Sequence, residues 1–285
     1  MKKNAAKVAV IGGSGLYGME GLSRARAVKV KTPFGSPSDE IVLGDIGGVS
    51  VAFLPRHARG HKLLPSEIPQ RANIWALKSL GVESVIGVSA VGSLKEKLKP
   101  RHFVFPDQLV DRTSGRVSTF FGDGMVAHIS FAEPFCNCLS RLLYAKARAL
   151  GIPSHSGGTL VCMEGPQFST RAESGYHRKM GYSVIGMTSA TEAKLAREAQ
   201  LCYACVSLVT DYDAWKTGEE VSGDMVVQTM LHNVAAVKRL IAAAVPAMAT
   251  AAPGCRCRHA LKDAVFTDRR LVPARVLARL KMLGI

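Results

Sequence analysis

LCYACVSLV, Leu201 to Val209, runs straight into TDYDAW, Thr210 to Trp215. An unbroken apolar run of this kind reads as a strand buried on both faces, as in mainly parallel sheets. Asp211 and Asp213 then emerge at its carboxyl end, where open α/β sheets hold their ligands. Side chains alternate along a strand, so the spacing predicts both carboxyls on one side of an extended segment. Such a pair suits a flat heterocycle with two neighbouring polar edges. The competing reading is a turn whose aspartates bond their own backbone.

Working outward, strands are predicted at Lys7–Gly12, Val51–Leu54, Val85–Val88, Phe103–Phe105, Gln108–Val110, Gly158–Met163 and Val184–Met187. Helices are predicted over Arg71–Leu80, Leu139–Leu150, Thr188–Ala199, Ser222–Ala251 and Pro273–Leu283. Strands and helices alternate, and several strands are continuously apolar. The fold class expected is therefore α/β, with a central mixed, largely parallel twisted sheet flanked by helices. No repeat or convincing linker divides the chain. Residues 1–285 read as a single domain, with 255–285 a basic C-terminal tail behind the Ala- and Pro-rich stretch Ala242–Gly254.

The 285 residues are 47% hydrophobic, enough for a sizeable core, yet no apolar stretch reaches the length of a membrane span. Met1–Val10 is basic but leads to no apolar core with a cleavage site, so a cytoplasmic protein is expected. The net charge is +15, from 37 basic and 22 acidic residues. Nucleic-acid binding would want Lys and Arg clustered among aromatics. Aromatics are only 6% and the basic residues are spread out, which favours a small anion such as phosphate as the partner.

The seven cysteines, an odd count in a long chain, argue against a secreted disulfide framework. Cys202 and Cys205 fall inside the apolar strand and read as buried, inert thiols. Cys255-Arg-Cys257 follows small residues and is expected to be exposed. Zinc would need two further ligands; His259 is near, no fourth is evident, and no metal is expected. A disulfide there stays open for a hyperthermophile source.

Other loops follow predicted strands. Gly13, Gly15 and Gly18 satisfy G-x-G-x-x-G, but no clean helix start or acidic partner follows, so the loop reads as a phosphate cradle with Ser14 as a hydroxyl donor. Its plainer reading is a tight turn. Arg56 offers a planar fork for two phosphate oxygens, and His57 a second donor. Small residues from Ser89 to Ser93, Ala90 among them, admit a ligand to the backbone. Phe168 can stack on a base, and Met187-Thr188 opens a helix whose N–H groups favour anions. Taken together, an anion site beside a base site points to a nucleoside and a phosphate in one pocket.

IGGSGL at Ile11, TPFGSPS at Thr32, RHARGH at Arg56, ANIWAL at Ala72, AEPFC at Ala132, EGPQFSTRAES at Glu164 and TDYDAW at Thr210 follow in order along nearly the whole chain. On these stretches the sequence resembles the trimeric purine nucleoside phosphorylase family, in its methylthioadenosine-cleaving branch. The resemblance implies phosphorolysis of 5′-methylthioadenosine, with inorganic phosphate as co-substrate and no cofactor. It implies phosphate contacts at Ser14, Arg56, His57, Ser89, Ala90 and Thr188, and base and ribose contacts at Phe168 and Met187. Asp211, protonated, would donate to the purine five-membered ring, and Asp213 would accept from its 6-amino group. His61, Val221 and Val227 would line the 5′ pocket, completed by His128 and Leu271 from a neighbouring subunit of a homotrimer or a dimer of trimers. The tail would pack near that interface. Thr191 stands where the family usually has Pro, and Gly223 where it has an apolar residue. The Cys255/Cys257 pair resembles that of disulfide-bearing, heat-stable members. A phosphate-independent nucleosidase, a 6-oxopurine phosphorylase and a dinucleotide- or nucleic-acid-binding protein are the alternatives.

Overall fold

Cys202–Asp211 forms the central strand, β11, and it is buried along its whole length. In the computed structural model, which describes residues 5–16, 21–216, 223–250 and 255–285, its alternate side chains enter two different cores. Tyr203, Cys205 and Val209 pack toward α1 (Gln70–Ser79) and α4 (Ser189–Glu198). Ala204, Val206 and Leu208 pack toward α2 (Asn137–Ala149) and α5 (Gly223–Thr250). Both faces being covered, no position on the strand needs a polar residue, and the sequence loses the two-residue alternation of a half-exposed strand.

The remaining strands are β1 (Val8–Gly12), β2 (Ser23–Val28), β3 (Ile41–Ile46), β4 (Val49–Pro55), β5 (Ser84–Ser93), β6 (Phe103–Phe105), β7 (Gln108–Asp111), β8 (Ser154–Ser156), β9 (Thr159–Cys162) and β10 (Val184–Gly186). Two shorter helices, α3 (Arg171–Lys179) and α6 (Ala274–Leu280), complete the described elements. The sheet runs β2-β3-β4-β1-β5-β10-β9-β7, with β11 pairing β5 and β6, and β6 pairing β8. It is a single-domain, mixed, largely parallel sheet flanked by helices, as expected.

The sheet divides at β5. β1 pairs in parallel with β5 only as far as Gly87, and β10 joins antiparallel at Gly92 and Ser93. On that side Val88–Val91 are left without a strand partner, while β11 accompanies them on the other. β5 thus runs on through Ser93, which corrects the expectation of a loop of small residues after Val88. Neighbouring atoms crowd the strand at its glycines: a Cβ on Gly92 would sit 2.9 Å from Asp211 Oδ1, and one on Gly87, just before the stretch, 2.2 Å from the Tyr203 hydroxyl oxygen.

Among the described residues, no helix is long and apolar enough to cross a membrane. Residues 255–285 fold back over the body: Ala127 bridges Val265, and the His128 N–H donates to the Ala264 carbonyl at 2.8 Å.

Candidate functional site

The gap beside Val88–Val91 opens into a cavity of about 350 Å³. It gathers Arg56 and His57 from the end of β4, Ser89 and Ala90 from β5, Met187 and Thr188 from the start of α4, and Asp211 and Asp213 from the end of β11. Phe168 and His61 stand at its mouth, both exposed. A larger hollow of about 540 Å³ lies between α3 and the turn after β11, lined by Arg171, Arg178, Lys179 and Trp215, and no acidic side chain lines it.

The two aspartates converge, though not by strand alternation. The β5–β11 register shifts between Val209 and Asp211, and Asp213 starts a 3-10 turn with φ +51°. Its N–H donates to Asp211 Oδ1 at 2.8 Å, so the turn reading is correct as well. Asp211 Oδ2 lies 2.6 Å from Thr210 Oγ1, which in turn reaches the Val91 carbonyl at 3.2 Å. Burial is the main influence on Asp211 and raises its pKa from the ordinary aspartate value, against the Thr210 and Asp213 hydrogen bonds that lower it. Asp213 is buried too, and its Oδ2 finds no hydrogen-bond partner among the described residues. The pair is an acid inclined to hold a proton beside an open acceptor.

Arg56 departs from expectation. Its guanidinium is buried, with Nε and Nη2 both on the Glu192 carboxylate, the latter at 3.1 Å. Nη1 donates to the Val88 carbonyl at 2.7 Å and Nη2 also lies 3.4 Å from that of Ile11. Of five guanidinium N–H groups, one on Nη1 remains free of a described partner. The fork therefore grips Glu192, and the cavity receives a fixed positive charge with a single donor. Burial opposes that charge, but the attraction and hydrogen bonds of Glu192 outweigh it and hold the pKa above the ordinary arginine value.

His57 is also committed inward: Nδ1 lies 2.8 Å from the Leu63 carbonyl, where only an N–H can satisfy it. Burial, aided by Arg56 and His61, lowers its pKa to about 4. At neutral pH the imidazole is neutral, so Nε2 offers a lone pair and not the expected donor. Ser89 Oγ is buried with no partner among the described residues, a donor awaiting an acceptor. Thr188 occupies the N-cap of α4 but its side chain caps nothing, leaving the first helical N–H groups open to an anion.

Some expected residues lie elsewhere. Val226, not Val227, lines the cavity, and Val227 is 55% exposed on α5. Val221 lies outside the described residues, as does the side chain of Ser14, whose backbone begins a 3-10 turn after β1. Gly223 opens α5, and among the described residues no atom lies within 4 Å of where its Cβ would stand. His128 and Leu271 are exposed and stand apart from the cavity on their own chain. Leu271, Phe266 and Val126 expose apolar surface, and the His128 ring meets that of Phe266 edge-on. Cys257 is buried and Cys255 half-buried, against the expectation of an exposed pair; both tuck under α2 and β11. Glu192, Tyr203, Thr210 and Gly92 were not singled out in the sequence, although each fixes the geometry of one that was.

A phosphorylase superfamily model matches residues 7–246. The chain belongs to the phosphorylase superfamily. It is 52% identical over 278 residues to the S-methyl-5′-thioadenosine phosphorylase of Geobacter sulfurreducens, covering 97% of each chain. Among solved structures it resembles a methylthioadenosine phosphorylase from an antarctic soil metagenomic library, with TM-score 0.95, 50% identity and 99% of each chain covered. It also resembles a variant adenosine/methylthioadenosine phosphorylase of Schistosoma mansoni in complex with methylthioadenosine, with TM-score 0.84 and 38% identity, covering 90% of this chain and 96% of that one.

Proposed function

We propose that this chain catalyses phosphorolysis of S-methyl-5′-thioadenosine, releasing adenine and 5-methylthioribose 1-phosphate. One observation carries the reading: a buried acid pair and an anion-ready helix start face the same cavity, as a purine and a phosphate require. The ribose departs with oxocarbenium character, as in glycoside chemistry. Phosphate is the nucleophile, and its negative charge also steadies the developing cation. Thr188, Ser89 and the N–H groups opening α4 hold it beside the Arg56 charge, so positioning supplies much of the rate. The neutral His57 Nε2 accepts a hydrogen bond from a phosphate hydroxyl. The leaving purine gathers negative charge, which Asp211 quenches by donating its proton to the five-membered ring. Asp213 Oδ2 accepts from the 6-amino group. Phe168 and Met187 flank base and ribose.

The reading extends to assembly. A cytoplasmic homotrimer, or a dimer of trimers, would seat the exposed His128 and Leu271 of one chain over the 5′ end of the next chain's pocket. Residues 255–285 would lie along that interface as part of one domain, and phosphate would be the sole co-substrate.

Base release from methylthioadenosine, measured with and without phosphate beside adenosine and inosine, tests the proposal. Strict phosphate dependence with methylthioadenosine preferred is expected; release without phosphate would make the chain a nucleosidase. Gly92→Ala supplies a finer check. Its Cβ would fall 2.9 Å from Asp211 Oδ1 and 3.2 Å from the Asp213 Cβ, pushing the acids apart. A misplacement approaching 1 Å costs up to roughly 100-fold, so kcat/KM should drop by tens of fold with the fold retained. Unchanged kinetics would show that the acid pair does not act on the base.

A further inference from the structure

We propose that Cys136, Cys202, Cys255 and Cys257 form a tetrathiolate zinc site that ties the C-terminal segment to the body of the protein. Their four sulfur atoms lie within 4.8 Å of one another. Cys136 and Cys255 sulfurs are 3.3 Å apart, and those of Cys255 and Cys257 3.2 Å. A zinc ion with Zn–S bonds of about 2.3 Å in a tetrahedron needs sulfurs roughly 3.8 Å apart, within the span seen here. Three separate stretches deliver them: the residue before α2, the first residue of β11, and the two ends of a Cys-Arg-Cys segment. His259, the neighbouring imidazole, is not needed once Cys136 and Cys202 supply the missing ligands.

Cys136 is the N-cap of α2, an extended residue whose side chain caps no N–H, so its sulfur is not spent on the helix. Four thiolates around a divalent ion leave a net charge of about −2. Two guanidinium groups, those of Arg258 and Arg197, stand near enough to Cys202 and Cys257 for their positive charge to act on the cluster. Arg258 also reaches Glu83 at 2.8 Å through Nη2, while its Nε is buried with no partner among the described residues. A negatively charged cluster is the neighbour that nitrogen lacks. Metal ligands are held by such outer contacts.

The position gives the site a purpose. Cys255 and Cys257 begin the segment that carries Ala264, whose carbonyl accepts the His128 N–H, and the exposed Leu271. A metal clip fixes the start of that segment on α2 and β11, and binding to the folded state alone stabilises it by mass action.

The test uses the full chain, without a histidine tag, purified in reductant. Elemental analysis should find close to one zinc per chain. Replacement by cobalt(II) should give thiolate-to-cobalt charge-transfer absorption and the intense visible bands of a tetrahedral site. Cys255→Ser should weaken cobalt binding by at least about 100-fold, since even outer-shell losses cost about 10–100-fold. Cys138→Ser, at an exposed cysteine outside the cluster, should leave it unchanged. Absence of zinc together with no such cobalt spectrum in the reduced protein overturns the proposal. So does a full cobalt spectrum in Cys255→Ser. A non-reduced mass lighter by two or four hydrogens, with no cobalt bands after reduction, would assign the cluster to disulfides instead.

Discussion

Glu192→Gln should destabilise the protein by about 3–5 kcal/mol, the cost of stranding one member of a buried ion pair. Glu192 is fully buried, and its carboxylate takes Arg56 through two nitrogens and the Tyr203 hydroxyl at 2.8 Å. Glutamine keeps the shape but offers one acceptor oxygen and no charge. The Arg56 cation, itself 3% exposed, then has only carbonyl dipoles to offset its burial. For a chain of this size the loss corresponds to a fall in Tm on the order of 10 °C. Phosphate supplies the second readout. In the native protein it meets a guanidinium whose positive charge is already partly offset by Glu192. In the variant it becomes the principal counter-charge, so added phosphate should raise Tm more in Glu192→Gln than in the native chain. A variant as stable as the native protein, or one indifferent to phosphate, would show that the pair does not set the charge of the anion site.

That pair also marks where sequence reading stops. β11 was legible because burial on both faces leaves a continuous apolar run, and its end located the acids. β2 was not: Ser-Arg-Ala-Arg-Ala-Val is almost wholly exposed, and pairing with β3 rather than burial makes it a strand. The small residues of β5 resembled a loop because Gly and Ser usually punctuate turns. Here Tyr203 and Asp211 press on the strand at its glycines, a tertiary fact. α3 did carry a signal, since Thr170 and Glu173 form a capping box, each side chain meeting the other's backbone. Glu192 carried none. It stands 136 positions from Arg56, and in sequence it is one more acid on an amphipathic helix. The cysteine cluster was half legible for the same reason: Cys255-Arg-Cys257 is local, whereas its partners arrive by topology.

Asp211→Asn should cut kcat/KM for methylthioadenosine by about 100- to 10,000-fold, the range for losing a positioned general acid. Asparagine can still receive the Asp213 N–H, and its amide can donate to Thr210 Oγ1, which keeps its bond to Val91. The turn and the cavity therefore survive, and the loss should fall on kcat with KM little changed, because a proton is handed over only as the base departs. Stability should move the other way. Burial raises the Asp211 pKa in the folded state, so above the unfolded value near 3.8 the folded chain holds a proton that the unfolded chain has released. Folding stability from this group is complete below that value and declines as pH rises through the folded pKa. Asparagine has no such slope, so the variant should match or exceed native stability at neutral pH while being nearly inactive. The contrast separates a catalytic acid from a structural one: unfolding curves at pH 5 and 8 beside steady-state kinetics would show it. Intact adenine release by Asp211→Asn would remove Asp211 from the reaction, and a large loss of stability at pH 8 would mean that its charge supports the fold.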